Sequence, residues 1–235
     1  MTPLPASDLP LGRRPGRLTA SSAQAVTTLI VVLSVGAAVL LVLLLAVQTR
    51  IPLSDLTRDP LAIMGKKSAP HLGSLSNLGV LLWCMTASVC AFTGLRLAAG
   101  AADRRAGVFL LVAAGFTAVL MLDDLFMLHE NLTLRFPQGD IALFTLYGLL
   151  ALGYILAFRH VLRRFGVLAP LLAVALLGVS VVADLGRLTA VMPGNWPWVV
   201  EDGSKFVGIV LWAAFHLRVS WISVLPEAQR SQKSR

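Results

Sequence analysis

Six apolar runs, at about 23–47, 74–97, 106–129, 141–158, 167–185 and 198–221, alternate with short polar segments along the chain. Each is close to the roughly 20 residues a helix needs to cross a ~30 Å hydrocarbon layer. The first run is too long for the core of a secretory signal and no A-x-A site follows it, so it counts as a span. The pattern predicts an all-α, polytopic membrane protein: a six-helix bundle over 23–221, flanked by a disordered basic tail (1–22) and a polar tail (222–235).

The polar segments carry their own signals. In the loop 48–73, Ser54-Asp-Leu-Thr57 is suited to cap a short interfacial helix ended by Pro60. Ser74 is placed to cap the second span, Pro137 and Gly139 break the loop 131–140, and Pro197 suits a first helical position.

Composition sharpens the class. The chain is 57% apolar and only 14% charged, against roughly 25% charged residues in soluble domains. Its net charge of +8 would suggest nucleic acid in a soluble protein, but here the basic residues divide by side. With six spans the termini share a side, and that side holds thirteen basic residues against Asp8, Asp103 and Glu227; the other holds seven basic and nine acidic. The positive-inside rule then predicts cytoplasmic termini in a plasma (inner) membrane, and no nucleic-acid partner.

The stretch Leu120-Met-Leu-Asp-Asp-Leu-Phe-Met-Leu-His-Glu130 carries the candidate chemistry. Residues 106–122 hold no charge, and Asp123 lies roughly 27 Å along a helix from Arg104 and Arg105. Ionisable groups at such a depth mark a functional site by default. Asp123 and Glu130, seven apart, share a helical face. The sixth span adds Glu201, Asp202 and Lys205, with Glu201 and Lys205 spaced i,i+4 for an ion pair. Lys205 is expected about 10 Å below the surface. Asp184 and Arg187, three apart at the end of the fifth span, are expected to pair. Gly208 continues the Glu201 face and is expected to permit a close helix approach.

The other notable residues read as structural. Trp196, Trp198, Trp212 and Trp221 are expected in an interfacial belt, and His160 and His216 as interfacial side chains at the arginine-rich end. Cys84 and Cys90, with no CxxC, are expected as buried thiols. His71 reaches the acidic cluster only if its loop folds back. No family pattern matches: the three-histidine zinc arrangement of alkaline ceramidase-type hydrolases fails because His129 lies at the opposite end from His160 and His216.

Several carboxylates with one histidine suit a divalent cation, Ca²⁺, Mg²⁺ or Mn²⁺ ahead of Zn²⁺. The expectation is a metal site of Asp123, Glu130, Glu201 and Asp202, with Asp124 or His129 as proton acceptor and Lys205, Asp184 and Arg187 in supporting ion pairs. The partners would be membrane lipids and a lipid-like substrate, hydrolysed or transferred at the outer leaflet. The other classes weighed are a cation or proton transporter and a non-enzymatic scaffold held by a polar network.

Overall fold

The computed structural model describes residues 20–57, 71–100, 103–187, 192, 194 and 196–225. The expected tails lie outside these residues for most of their length. The described elements are α1 (Ala20–Val47), α2 (Leu53–Thr57), α3 (Ser74–Ala99), α4 (Arg104–Phe126), α5 (Leu128–Arg135), α6 (Gly139–Ala157), α7 (Arg159–Phe165), α8 (Leu168–Val182) and α9 (Trp196–Val224). Six of them, α1, α3, α4, α6, α8 with its extension to Gly186, and α9, are long and apolar enough to cross a membrane, so the protein reads as membrane-embedded. Helices satisfy their own backbone polar groups, which is what allows apolar segments to sit in lipid.

The ends are set by local chemistry. Asp103 caps α4, its side chain accepting the Ala106 amide at 3.0 Å, and its other oxygen takes Arg164 of α7 at 2.9 Å. Met127 stops α4 by adopting a left-handed φ of 49°, three residues earlier than the apolar run suggests. The expected loop after it is partly helical, as α5, because the chain restarts at Leu128. At the end of α8 a widened, π-type turn spans Ala183–Arg187, with Gly186 at φ 71°.

α9 is the central helix: α1, α3 and α8 pack around it, and most of its length is buried. Glycines set the closest contacts. A Cβ on Gly107 would fall 2.8 Å from the Ala98 amide nitrogen and 3.1 Å from the Gly94 carbonyl oxygen, so α3 and α4 touch backbone to backbone. Gly208 likewise meets α8, 3.2 Å from the Ala173 carbonyl oxygen. Lipid offers apolar side chains as good a home as a core does, so association here depends on such close packing and on hydrogen bonds between helices. α1 and α6 are the least buried spans, and residues such as Leu29, Leu33, Leu149 and Leu152 are exposed on them as lipid-facing positions.

The core proper is aromatic and lies toward the arginine-rich end. Phe109 stacks on Tyr154 at 5.1 Å and on His216 at 5.7 Å, with Phe158 and Phe215 edge-on. The Tyr154 hydroxyl lies 2.9 Å from His216 Nε2, and the Trp212 indole donates to Thr117 at 2.9 Å. These contacts correct two expectations. His216 is 0% exposed and Trp212 is 1% exposed, because α9 runs on to Val224, placing both deeper than the interface, and because its neighbours surround it. Cys84 is exposed while Cys90 is buried; six residues apart on one helix, they face different ways and only one meets the bundle.

Candidate functional site

At the end of the bundle opposite the arginines, α4, α6, α8 and α9 diverge around a cavity of about 690 Å³. Its lining changes along the helices. Phe116 and Leu120 of α4, Val174 and Leu177 of α8 and Trp212 of α9 form its inner part. One to three turns further on, the same helices supply its polar part, Asp123, Asp124, Asp184, Glu201, Asp202 and Lys205, joined by His129 and Glu130 of α5. Eight of the nine ionisable residues singled out from sequence therefore line one space. The ninth is Arg187, whose side chain lies outside the described residues, as does its expected pairing with Asp184. His71 does not line the cavity.

The left-handed Met127 creates the first key contact. Its amide still closes α4 onto the Asp123 carbonyl, but α5 then begins with amides that have no intrahelical partner. Asp123, buried, supplies one: its Oδ1 accepts the His129 amide at 2.9 Å. Its Oδ2 lies 3.1 Å from His129 Nδ1. A carboxylate oxygen accepts, so in the neutral ring this contact puts the proton on Nδ1 and leaves Nε2 as the acceptor. The ring packs on Phe144, 5.2 Å between centroids. Burial pushes the His129 pKa down, but the hydrogen bond and charge of Asp123 outweigh it; Lys205 opposes and Asp184 assists, and the pKa ends above its ordinary value.

Asp124 makes the second contact. Its Oδ1 takes the Lys205 ammonium at 2.7 Å, and its Oδ2 takes the indole N–H of Trp83 at 2.8 Å. One carboxylate thus joins α4, α9 and α3. Lys205 was expected to use its own-helix neighbour Glu201; it reaches a carboxylate on another span, which removes two charges together from the apolar surroundings. Trp83 was not foreseen, since a tryptophan inside an apolar run carries no sign of its partner.

These contacts redistribute the expected roles. Asp123, expected as a metal ligand, has both oxygens on His129, and Asp124, expected as a proton acceptor, has both on Lys205 and Trp83. Among the described residues no group of three or more His, Cys, Asp or Glu side chains stands in a geometry that could hold a metal ion. Glu130, Asp184, Glu201 and Asp202 share the cavity lining.

Tyr147, Gly148 and Gly178 also line the cavity and have no counterpart among the residues expected from sequence. Comparison with curated proteins and with solved structures finds no match. Residues 32–219 match the family described as a domain of unknown function (DUF8692), and the chain belongs to that family.

Proposed function

We propose that the protein is a plasma (inner) membrane enzyme with cytoplasmic termini that hydrolyses, or transfers a group on, a lipid-like substrate, with His129 as the general acid–base. The orientation rests on the basic surplus at the termini side, which puts the cavity end outward. A cysteine replacing Arg135 should then react with an impermeant thiol reagent on intact cells; labelling only after permeabilisation reverses the orientation.

The observation that carries the chemistry is the Asp123–His129 pair on the wall of a cavity that passes from ionisable to apolar along its helices. Asp123 fixes the tautomer and ring orientation. His129 Nε2 takes a proton from water as the water oxygen bonds to an ester, amide or phosphoryl centre, then gives that proton to the departing group as its bond breaks. Asp124 holds the Lys205 ammonium in the lining, where it favours negative charge developing on the reacting oxygen. Toward the arginine-rich end the bundle is filled by Phe109, Tyr154, Phe215 and Trp212, which favours a closed reaction site over a path through the membrane.

The test is turnover in nanodiscs with fluorogenic ester-, amide- and phosphodiester-linked lipids. A positioned base contributes roughly 10²–10⁴-fold, so at least one class should be turned over and His129→Gln should slow it by at least about 10²-fold at an unchanged melting midpoint. Turnover indifferent to His129→Gln, or none in any class, overturns the reading.

A divalent cation is the second reading, favoured by Glu130, Asp184, Glu201 and Asp202 sharing one lining. Their oxygens would have to close to about 2.0–2.6 Å around it. Stoichiometric metal lost in Glu201→Gln supports it; wild-type protein purified without chelator and free of metal removes it.

A further inference from the structure

The arginine-rich end takes no part in the chemistry at His129, yet its basic residues are gathered by specific contacts. Arg164 of α7 donates to Asp103 at 2.9 Å, which ties α7 to the start of α4. A Cβ on Gly107 would meet the Gly94 carbonyl and the Ala98 amide, so Arg96, between those two residues on α3, lies within about a turn of Arg104 and Arg105 along the bundle. On α7, Leu162 and Phe165 are buried and Arg164 turns to Asp103, while Arg159 and Arg163, four apart, share a third, exposed face. Three elements thus bring the exposed Arg96, Arg104, Arg105, Arg159 and Arg163 to one end of the bundle.

The protein supplies little counter-charge here. Asp103 is the one acidic residue at this end among the described residues, and both its oxygens are taken, by the Ala106 amide and by Arg164. The tails bring no surplus of acid, since residues 1–22 and 222–235 hold six basic residues against Asp8 and Glu227. Placement adds to the count. Arg104 and Arg105 open α4, whose first turn holds no acid, and cations at a helix start oppose its macrodipole. Fixing the direction of insertion needs basic residues in a loop; it does not need them at a helix start. An anion at the headgroup level answers both the charge and the dipole.

We propose that α7 and the α3–α4 turn form a docking surface for anionic phospholipids of the surrounding bilayer, with a headgroup phosphate seated between Arg104 and Arg105 of α4 and Arg159 and Arg163 of α7. The occupant follows from depth and charge. The spans end here, at the level of the headgroups, and guanidinium forks match phosphate oxygens in pairs. Basic pockets between spans suit such headgroups. The inference goes beyond the enzyme reading, since it rests neither on His129 nor on which face of the membrane this end occupies.

The probes are phosphatidylglycerol and phosphatidylcholine with the same acyl chains. Each is titrated into the full-length, delipidated protein in detergent micelles at an ionic strength of about 0.15 M, with native mass spectrometry counting bound lipids. The expected result is at least one phosphatidylglycerol per chain, held about tenfold or more tighter than phosphatidylcholine. Arg159→Gln with Arg163→Gln should remove most of that preference. Arg159→Lys with Arg163→Lys keeps every charge but loses the planar forks, and should weaken it about threefold or more. The lysine pair also serves if the glutamine pair inserts differently, because the basic count that orients the chain is unchanged. Arg50→Gln with Arg135→Gln, which removes two charges at the opposite end, should leave the preference intact. An equal loss in that variant would mean that net charge alone attracts the lipid, and an unchanged lysine pair would mean a diffuse field with no seat; either overturns the proposal. So does equal binding of the two lipids, and so does full displacement by soluble glycerol phosphate at equal concentration, which would make this a site for a free phosphate.

Discussion

The halves of the bundle toward its two ends are built from the same helices, yet one is filled and the other is hollow. Toward the arginines, α4, α6 and α9 contribute Phe109, Tyr154, Phe215 and His216, joined by Phe158 just after α6, and their rings lie about 5–6 Å apart in stacked and edge-on contacts. Toward the acids, α6 and α8 contribute Gly148 and Gly178, and the space stays open. Both halves follow in the main the rule that buried polar groups need partners, although Arg218 Nε and Ser223 Oγ have no hydrogen bond. The filled half meets it with neutral hydrogen bonds, Tyr154 to His216 and Trp212 to Thr117. The hollow half meets it with the Lys205–Asp124 ion pair and the Asp123–His129 hydrogen bond, both on the cavity lining. Packing and charge are thus separated along one set of helices: aromatic rings fill one end, and ionisable side chains line a cavity at the other.

The sharpest way to break the comparison is to delete one ring from each half. Phe109→Ala should cost the most. A buried Phe→Ala change costs about 3–5 kcal/mol in soluble proteins, and in a bilayer much of the transfer part drops out, leaving about 2–3 kcal/mol of lost packing. Phe144→Ala, beside the cavity, should cost less than about 1 kcal/mol, because the ring already has open space on one side. Reversible unfolding in mixed micelles reads both; equal losses would mean the two halves do not differ in packing.

An intermediate effect is expected from Asp124→Asn. It leaves the Lys205 ammonium without its carboxylate, and since the Lys205 side chain is 37% exposed, screening holds the loss to about 1–2 kcal/mol. Adding Lys205→Met should recover part of it, because an apolar replacement removes the stranded charge. If the double variant is no more stable than Asp124→Asn, the pair is not what ties α4 to α9.

How much of this was legible in the sequence follows the same division. The spans were, because lipid imposes a length and an apolar composition that any window of residues reveals. So was the shared location of Asp123, Asp124, Glu130, Glu201, Asp202 and Lys205, because charge near the end of an apolar run fixes depth, and depth on antiparallel helices fixes which residues can meet. The pairing was not. Whether Lys205 turns to Glu201 or Asp124 depends on helix rotation, which a run apolar on most faces does not encode. The Met127 reversal was hidden too, since a non-glycine residue at positive φ leaves no mark in composition, and with it the turn that brings His129 back onto Asp123. His216 and Trp212 misled for a related reason: an arginine-rich helix end and a set of tryptophans suggested the interface, whereas α9 continues to Val224 and both residues are enclosed by its neighbours.

The smallest effect is the most direct probe of the hollow half. Burial disfavours the charged His129 imidazole, but the hydrogen bond and charge of Asp123 prevail and raise its pKa above the ordinary value, about 6.5. A raised pKa means that the imidazolium–carboxylate pair adds to stability fully below pH ~6.5 and that this addition is lost as pH rises through the folded value. Turnover should run the opposite way, since only neutral His129 accepts a proton, so its acid limb should lie above the ordinary histidine range. Asp123→Asn removes the carboxylate and leaves burial to dominate; the imidazole should then titrate lower, the acid limb should move down in pH, and stability should cease to fall across this range. Unfolding midpoints and imidazole NMR shifts between about pH 5 and 8 read the titration independently of any substrate. A wild-type histidine that titrates at or below the ordinary value, or one that Asp123→Asn does not shift, would mean that Asp123 does not tune His129, and the hollow half would lose the group that gives it chemistry.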